Sequence, residues 1–403
     1  MINLELAAQH QETYDNLMQV AEHMMRPYSR KYDKEEHSYP REMEEVAKLL
    51  AGNRDSRAGQ EKSDKAQDGA PQIKNGANLM AVTAYEALCW GDAGLMLAMP
   101  GRGLGNAAIS AVGTPEQVAK YGSSYAAMCI TEPGTGSDSA NISTTAVADG
   151  DEWILNGEKI FVTDGERCDT LVVWATLDKS LGKAAIKSFI VEKGTPGCEV
   201  TRLEHKMGIR ASDTAAISFT DCRIPKANIL GTAAVATNAQ ERKKAFGGVM
   251  QTFDNTRPPV AAMAIGVGRA ALDLTRQILQ KEGVELDFDK KPGNVSAIEA
   301  ELYKMEAEWH AARLLVRKAA WMADNKQPNS LEASMCKAKA GRTGNYIALR
   351  CVELCQSLGY SEHELLEKFA RDSKILDIFE GTQQIQQLIV ARRVLEKSSS
   401  ELK

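Results

Sequence analysis

Several things this 403-residue chain does not have narrow its function before any motif is read. Basic residues are not in excess: 49 Lys and Arg stand against 54 Asp and Glu, for a formal net charge of −5. A nucleic-acid footprint shows the opposite balance, so no nucleic-acid partner is expected. No long apolar run goes uninterrupted. The most apolar stretch, about 87–112, is broken by Asp92, Arg102 and five glycines, and reads as core rather than as an integral membrane segment. The opening MINLELAAQHQETYD has no basic segment followed by an apolar one and does not read as a secretory signal. Neither C-x-x-C nor H-x-x-x-H occurs among the 8 cysteines and 6 histidines, so no metal is expected, and free thiols in a reducing cytoplasm are the expected state.

What is present falls into three parts, and a chain of this length is expected to divide into two or three domains. Residues 1–125 read as helical. Leu17, Met18, Ala21 and Met24 lie on an apolar face, Pro40 starts a further helix, and Thr114-Pro115-Glu116 opens another. Within this part, 52–76 holds one large apolar residue, Ile73, and reads as a polar loop. Residues 126–235 switch to strand logic. Asp149-Gly150 and Asn156-Gly157 are hairpin-type dipeptides, and short β-rich runs such as Leu171–Thr176 and Ser188–Val191 follow at close spacing. An antiparallel β domain is expected there. Residues 236–403 return to helical periodicity over 253–279, 296–325 and 329–358, with Asn329 and Glu332 placed as an N-terminal cap.

The richest chemistry lies near the C-terminus, in RDSKILDIFEGTQQIQQLIVARRVL at 371–395. An apolar segment runs into Glu380, Gly381 and Thr382 follow, and a helix begins with Ile385, Leu388 and Ile389 on one face. An acid flanked by apolar neighbours has its pKa raised toward the range of a general base. The same three residues also read as an ordinary helix N-terminus with an acid in its dipole field. Met128–Asp138, MCITEPGTGSD, is a strand ending in a hydroxyl-rich turn. Phe161-Val-Thr163-Asp164-Gly165 and Phe253-Asp254-Asn255-Thr256-Arg257-Pro258 complete the set. Taken singly, these read as a surface turn, a core strand and a helix with a terminal charge.

Together these segments resemble the signatures of the acyl-CoA dehydrogenase flavoenzymes, in the same order and over nearly the whole chain. The resemblance implies a mainly α fold with a central β domain, set between an N-terminal helical domain and a C-terminal helical bundle. It implies FAD as cofactor, an acyl-CoA substrate and an electron-transfer flavoprotein as redox partner. It makes Glu380 the catalytic base with Arg257 near it. It puts Ile130, Thr131, Phe161, Thr163, Thr382, Gln384, Gln356 and Gly359 on the flavin. Ser137, Phe253, Asp254 and Gly381 fall on the substrate. The implied reaction yields a trans-2-enoyl-CoA. An acyl-CoA oxidase on the same fold, or a non-catalytic subunit of a mixed complex, are the competing readings.

Two features of that family, both reaching a neighbouring subunit's flavin, are damaged. After Leu279 the text QKEGVELDFDKKPGN has no R-x-x-F-G, and Gln356-Ser-Leu-Gly359-Tyr360 keeps one glycine of Q-x-x-G-G-x-G. A hetero-oligomer with a related chain is therefore expected. A homo-oligomer is the alternative if Lys281, Lys290 or Lys291 replaces the missing Arg.

Overall fold

A computed structural model describes residues 6–50, 76–101, 103–235, 239–398 and 401, excepting the side chains of 239–255 and 292. The polar interval at 52–76 lies, but for Gly76, outside the described residues. The chain forms two compact units. One comprises Met1–Leu97, Met207–Ala211 and Asp254–Lys403, and the other Ala98–Lys206 and Ser212–Phe253.

The second unit opens with helices α6 (Leu104–Val112) and α7 (Pro115–Tyr121), preceded among the described residues by helices α1–α5 given below. Thr114 caps α7 as its sequence suggests: its hydroxyl accepts from the Gln117 N–H, and the Gln117 side chain returns the bond. Eight strands follow: β1 (Ala126–Cys129), β2 (Thr145–Asp149), β3 (Glu152–Thr163), β4 (Thr170–Thr176), β5 (Ile186–Glu192), β6 (Cys198–Leu203), β7 (Thr214–Pro225) and β8 (Ile229–Leu230). Their order is β6-β7-β3-β2-β4-β5-β8, with β1 paired to β4.

The sheet is mixed rather than wholly antiparallel, because β1 and β2 both run parallel to β4. Period-two alternation sorts β4 between two cores. Leu171, Val173 and Ala175 join Trp153, Phe189 and Phe219 on one face, while Val172 meets Ile109, Tyr121 and Ile190 on the other.

Asp149-Gly150 makes the β2–β3 hairpin, with Asp149 opposite Glu152 and Gly150 at φ +57°. Asn156-Gly157 does not turn the chain. It forms a bulge inside β3, where the Asn156 side chain bonds both ways with Asp221 on β7. Gly157 (φ +148°) lies so close to Thr144 that a Cβ would sit 2.5 Å from its hydroxyl. Tertiary pairing therefore uses this dipeptide's left-handed capacity in mid-strand.

The first unit is helical. It begins with α1 (Ala8–Val20), α2 (Ser29–Lys34), α3 (42–50), α4 (Ala77–Gly91) and α5 (Ala93–Leu97). It resumes within α8 (Ala239–Lys281) and continues through α9 (Ala297–Asp324), α10 (Ser330–Leu354), α11 (Gln356–Tyr360), α12 (Leu366–Leu376) and α13 (Gln383–Val394). A Ser296–Glu299 capping box starts α9. Asn329 occupies the cap position of α10 without capping it, because its amide donates instead to the Ala319 carbonyl. On α12, Lys368 is buried between Asp92 and Asp372, and Asp372 also accepts the Ile209 N–H, tying the 207–211 segment to this helix. All eight cysteines are free, and every one but Cys198 is buried. Among the described residues, no helix is long and apolar enough to cross a membrane.

Candidate active site

In the helical unit, the segment after α12 cannot continue as a helix, because Glu380 and Gly381 take φ of +56° and +92°. Two consecutive left-handed residues turn the chain sharply, and Thr382 then caps α13 by accepting the Ile385 N–H. A glutamate at positive φ is strained, and strain of this kind is retained where the surroundings over-determine the backbone.

Two side chains do so. The Gln386 amide donates to the carbonyls of both Glu380 and Gly381 at 3.1 Å, and the Lys337 ammonium donates to the Gly381 carbonyl at 2.8 Å. Position 381 has φ +92°, so any side chain there is strained, and its Cβ would also stand 2.5 Å from the Gln386 amide nitrogen. The face of α13 that packs inward is thus Gln383 and Gln386, not the expected Ile385, Leu388 and Ile389, and Leu388 is 44% exposed. The glutamines face in because the turn and α10 present carbonyls to them, Gln383 donating to Ala338.

The Glu380 carboxyl accepts a hydrogen bond from the Thr256 hydroxyl at 2.9 Å. Burial pushes its pKa above the ordinary carboxylate value, and the Thr256 bond and the charges of Arg257 and Lys337 pull against that push. Arg257 is buried beside Ser334, one residue before the Pro258-Pro259 pair inside α8. Phe253 and Asp254 lie in the helical backbone just upstream, and their side chains are outside the described residues. Gln384 is exposed on α13.

The other glycine motif is packed within its own chain. A Cβ on Gly359 would meet the Val352 carbonyl oxygen at 2.3 Å, so its bare backbone serves packing within its own chain. Gln356 has φ +48° and is exposed, and Tyr360, standing where a second glycine was sought, is 82% exposed.

In the β unit, the turn after β1 is built on a buried ion pair. Glu132 accepts from the Lys159 ammonium (2.8 Å), the Thr144 N–H (2.9 Å) and hydroxyl (2.6 Å), and the Ser143 N–H. Burial alone raises the Glu132 pKa, yet the lysine and these donors outweigh it and hold the carboxyl below its usual value. Burial pulls Lys159 down in turn. With four donors converging on the carboxylate, the pair is ionised.

Lys159 also donates to the Ile130 carbonyl, and the Ile160 N–H donates to the Thr131 carbonyl. Ile130 and Thr131 are thereby stitched to β3 beside Phe161, with Thr163 two residues further along the strand. Phe161 sits at φ +56°, in a break of register between Lys159 and Val162, with 59% of its surface exposed. A non-glycine residue in a left-handed backbone costs conformational energy, and strained positions of this kind cluster at functional sites. Ser137 lies exposed in the turn beyond Glu132.

The sequence reading did not single out Lys337, Gln386, Thr256 as a partner of Glu380, or the Glu132–Lys159 pair. For Lys337 a signal existed: it shares a helical face with Ala333, Cys336, Ala340, Gly344 and Ile347, where a lysine is out of place unless something holds it.

Comparison with known proteins identifies the family. Residues 127–222 match the model of the acyl-CoA dehydrogenase middle domain, and 246–395 that of the acyl-CoA dehydrogenase C-terminal domain. The chain is 35% identical to acryloyl-CoA reductase (NADH) of Anaerotignum propionicum, over 72% of this chain and 73% of that one. It is 36% identical to the caffeyl-CoA reductase-Etf complex subunit CarC of Acetobacterium woodii, over 71% and 74%. Butyryl-CoA dehydrogenase of Megasphaera elsdenii superposes with a TM-score of 0.82 at 29% identity, covering 98% of this chain and all of that one. The chain is a member of the acyl-CoA dehydrogenase family of flavoprotein oxidoreductases.

Proposed function

We propose that this chain dehydrogenates an acyl-CoA thioester to a trans-2-enoyl-CoA, with Glu380 removing the α-proton. One observation carries the reading. Glu380 is a carboxyl of raised pKa, held by Thr256 on a strained turn whose carbonyls are tied down by two other side chains. A carboxylate whose pKa is raised by burial, on a rigid support, is suited to taking a weakly acidic proton. The Glu380 backbone N–H is the donor for the thioester carbonyl, stabilising charge that develops there as the proton leaves.

FAD is the cofactor of this reading, and when bound it supplies the redox chemistry by accepting a hydride. The residues of the β unit fit such a group. Phe161 offers an exposed ring face, and the backbone of Thr131 is bonded next to it. Ile130, Thr131, Phe161 and Thr163 would hold its ring system, with Thr382 and Gln384 on its chain. Gln356 and Gly359 would meet a neighbouring subunit's flavin, with Gly359 packed closely against Val352 of its own chain. Ser137, Gly381, Phe253 and Asp254 would contact the acyl-CoA, and Arg257 would support the base. An electron-transfer flavoprotein is the proposed redox partner, a reading favoured by the relative named as part of an Etf complex.

A second direction is favoured by the names of both relatives, which are reductases. The raised pKa of Glu380 also suits it to give a proton to an enoyl-CoA. Anaerobic stopped-flow spectra test both directions, following flavin bleaching by a panel of acyl-CoAs and recolouring of the chemically reduced protein by enoyl-CoAs. Glu380→Gln is expected to slow either by on the order of 10²–10⁴. Near wild-type bleaching in that variant would show that another group is the base.

A further inference from the structure

The turn bearing Glu380 is held by a charged side chain whose presence packing does not explain. Lys337 is 1% exposed on α10, among alanines, cysteine and glycine, and its ammonium reaches the Gly381 carbonyl at 2.8 Å. Gln386, also fully buried, already bonds that carbonyl and the one before it from α13. A neutral donor therefore suffices for the geometry of one contact, whereas a lysine brings a positive charge to the underside of the carboxylate turn. Burying an ammonium is costly unless something compensates. The charged groups facing it are Asp377 at the end of α12, Glu380 in the turn and Arg257 on α8.

We propose that Lys337 is a positioning residue for Glu380: its bond fixes the Gly381 carbonyl and hence the aim of the carboxyl, and its charge favours the carboxylate form. The inference rests on Glu380 being the proton-transfer group. Burial lowers the Lys337 pKa to about 8, against Asp377 and Glu380, which raise it, and with Arg257, which lowers it. The sign of the coupling follows. A cation near Glu380 lowers the carboxyl pKa, so removing it sends that pKa higher and moves the acid limb of the rate profile to higher pH.

Two variants separate bond from charge. Lys337→Gln retains a donor without charge, and Lys337→Met retains neither. Flavin reduction by acyl-CoA is measured across pH for both, beside wild type and Glu380→Gln, with thermal melting as a check on folding. The Glu380 carboxyl is titrated by infrared difference against Glu380→Gln. Both lysine variants are expected to shift the carboxyl titration and the acid limb upward by about half a pH unit or more. Lys337→Gln should keep its plateau rate within roughly threefold, and Lys337→Met should lose about tenfold or more. Unshifted titrations in folded variants would overturn the proposal. If Glu380→Gln reduces flavin normally while the infrared shift persists, the assignment of Glu380 as base falls and the coupling to Lys337 stands.

Discussion

Asp164 adopts a left-handed backbone (φ +61°) at the end of β3, a conformation that Asn and Asp tolerate better than other side-chain-bearing residues. Burial pushes its carboxyl up to about 7 and the negative charge of Asp213 adds to the push, with Tyr125 and Arg167 opposing. The sign for stability runs against the usual acid. The folded chain holds a proton that the unfolded chain gives up, so stability falls as pH rises from near 3.8 to about 7 and is flat beyond. The loss is on the order of a few kcal/mol. Asp164→Asn keeps the backbone preference and removes the titration. Urea midpoints measured from pH 4 to 8 should therefore fall more steeply in wild type than in the variant. Parallel curves for the two proteins would refute the assignment.

At the scale of single elements, the turn after β1 is the most tightly specified piece of the β unit. Lys159→Met leaves Glu132 buried with its strongest partner gone, and breaking one side of such a pair costs about 3–5 kcal/mol. Replacing both, as Lys159→Met with Glu132→Gln, should recover part of that cost. A double mutant no more stable than the single one would show that the pair does not act as a unit.

The same turn shows what the sequence could and could not disclose. Its hydroxyls and glycines were readable, and so were the Asp149-Gly150 hairpin, the Thr114 cap and the unusual Glu380 junction, because each is settled by neighbours within a few residues. Glu132–Lys159 and Lys337–Gly381 span 27 and 44 positions and depend on which elements the fold brings together. Asn156-Gly157 misleads for the converse reason. Its local preference is satisfied, but by a bulge against Thr144 and Asp221 rather than by a chain reversal.

At the scale of the whole molecule, α13 carries exposed apolar side chains. Val390, Val394 and Leu395 line an apolar groove with Leu315, Met335 and Ala338, and Val394 is 63% exposed. Of the lysines that stood to replace the missing interface Arg, Lys290 is committed to the buried Glu299 at 2.9 Å, while Lys281 and Lys291 are exposed. We propose assembly with a related chain that restores the lost flavin contacts. Each such charge-assisted bond is worth about 1.5–3 kcal/mol. The chain expressed alone should then hold flavin poorly, by native mass and flavin absorbance. A homo-oligomer with one tightly held flavin per chain would sink the idea.

Phe161 carries a consequence for how the protein is handled. A ring held at positive φ and left largely to solvent gives the folded chain nothing until a partner covers it, so the fold and its ligand share one thermodynamic account. Free flavin then acts as a folding reagent: at a hundred times its dissociation constant it adds about 2.7 kcal/mol to stability. Melting temperature should climb with added FAD in wild type and climb less in Phe161→Ala. At FAD concentrations that saturate wild type, an equal climb in Phe161→Ala would show that the ring does not cover the flavin.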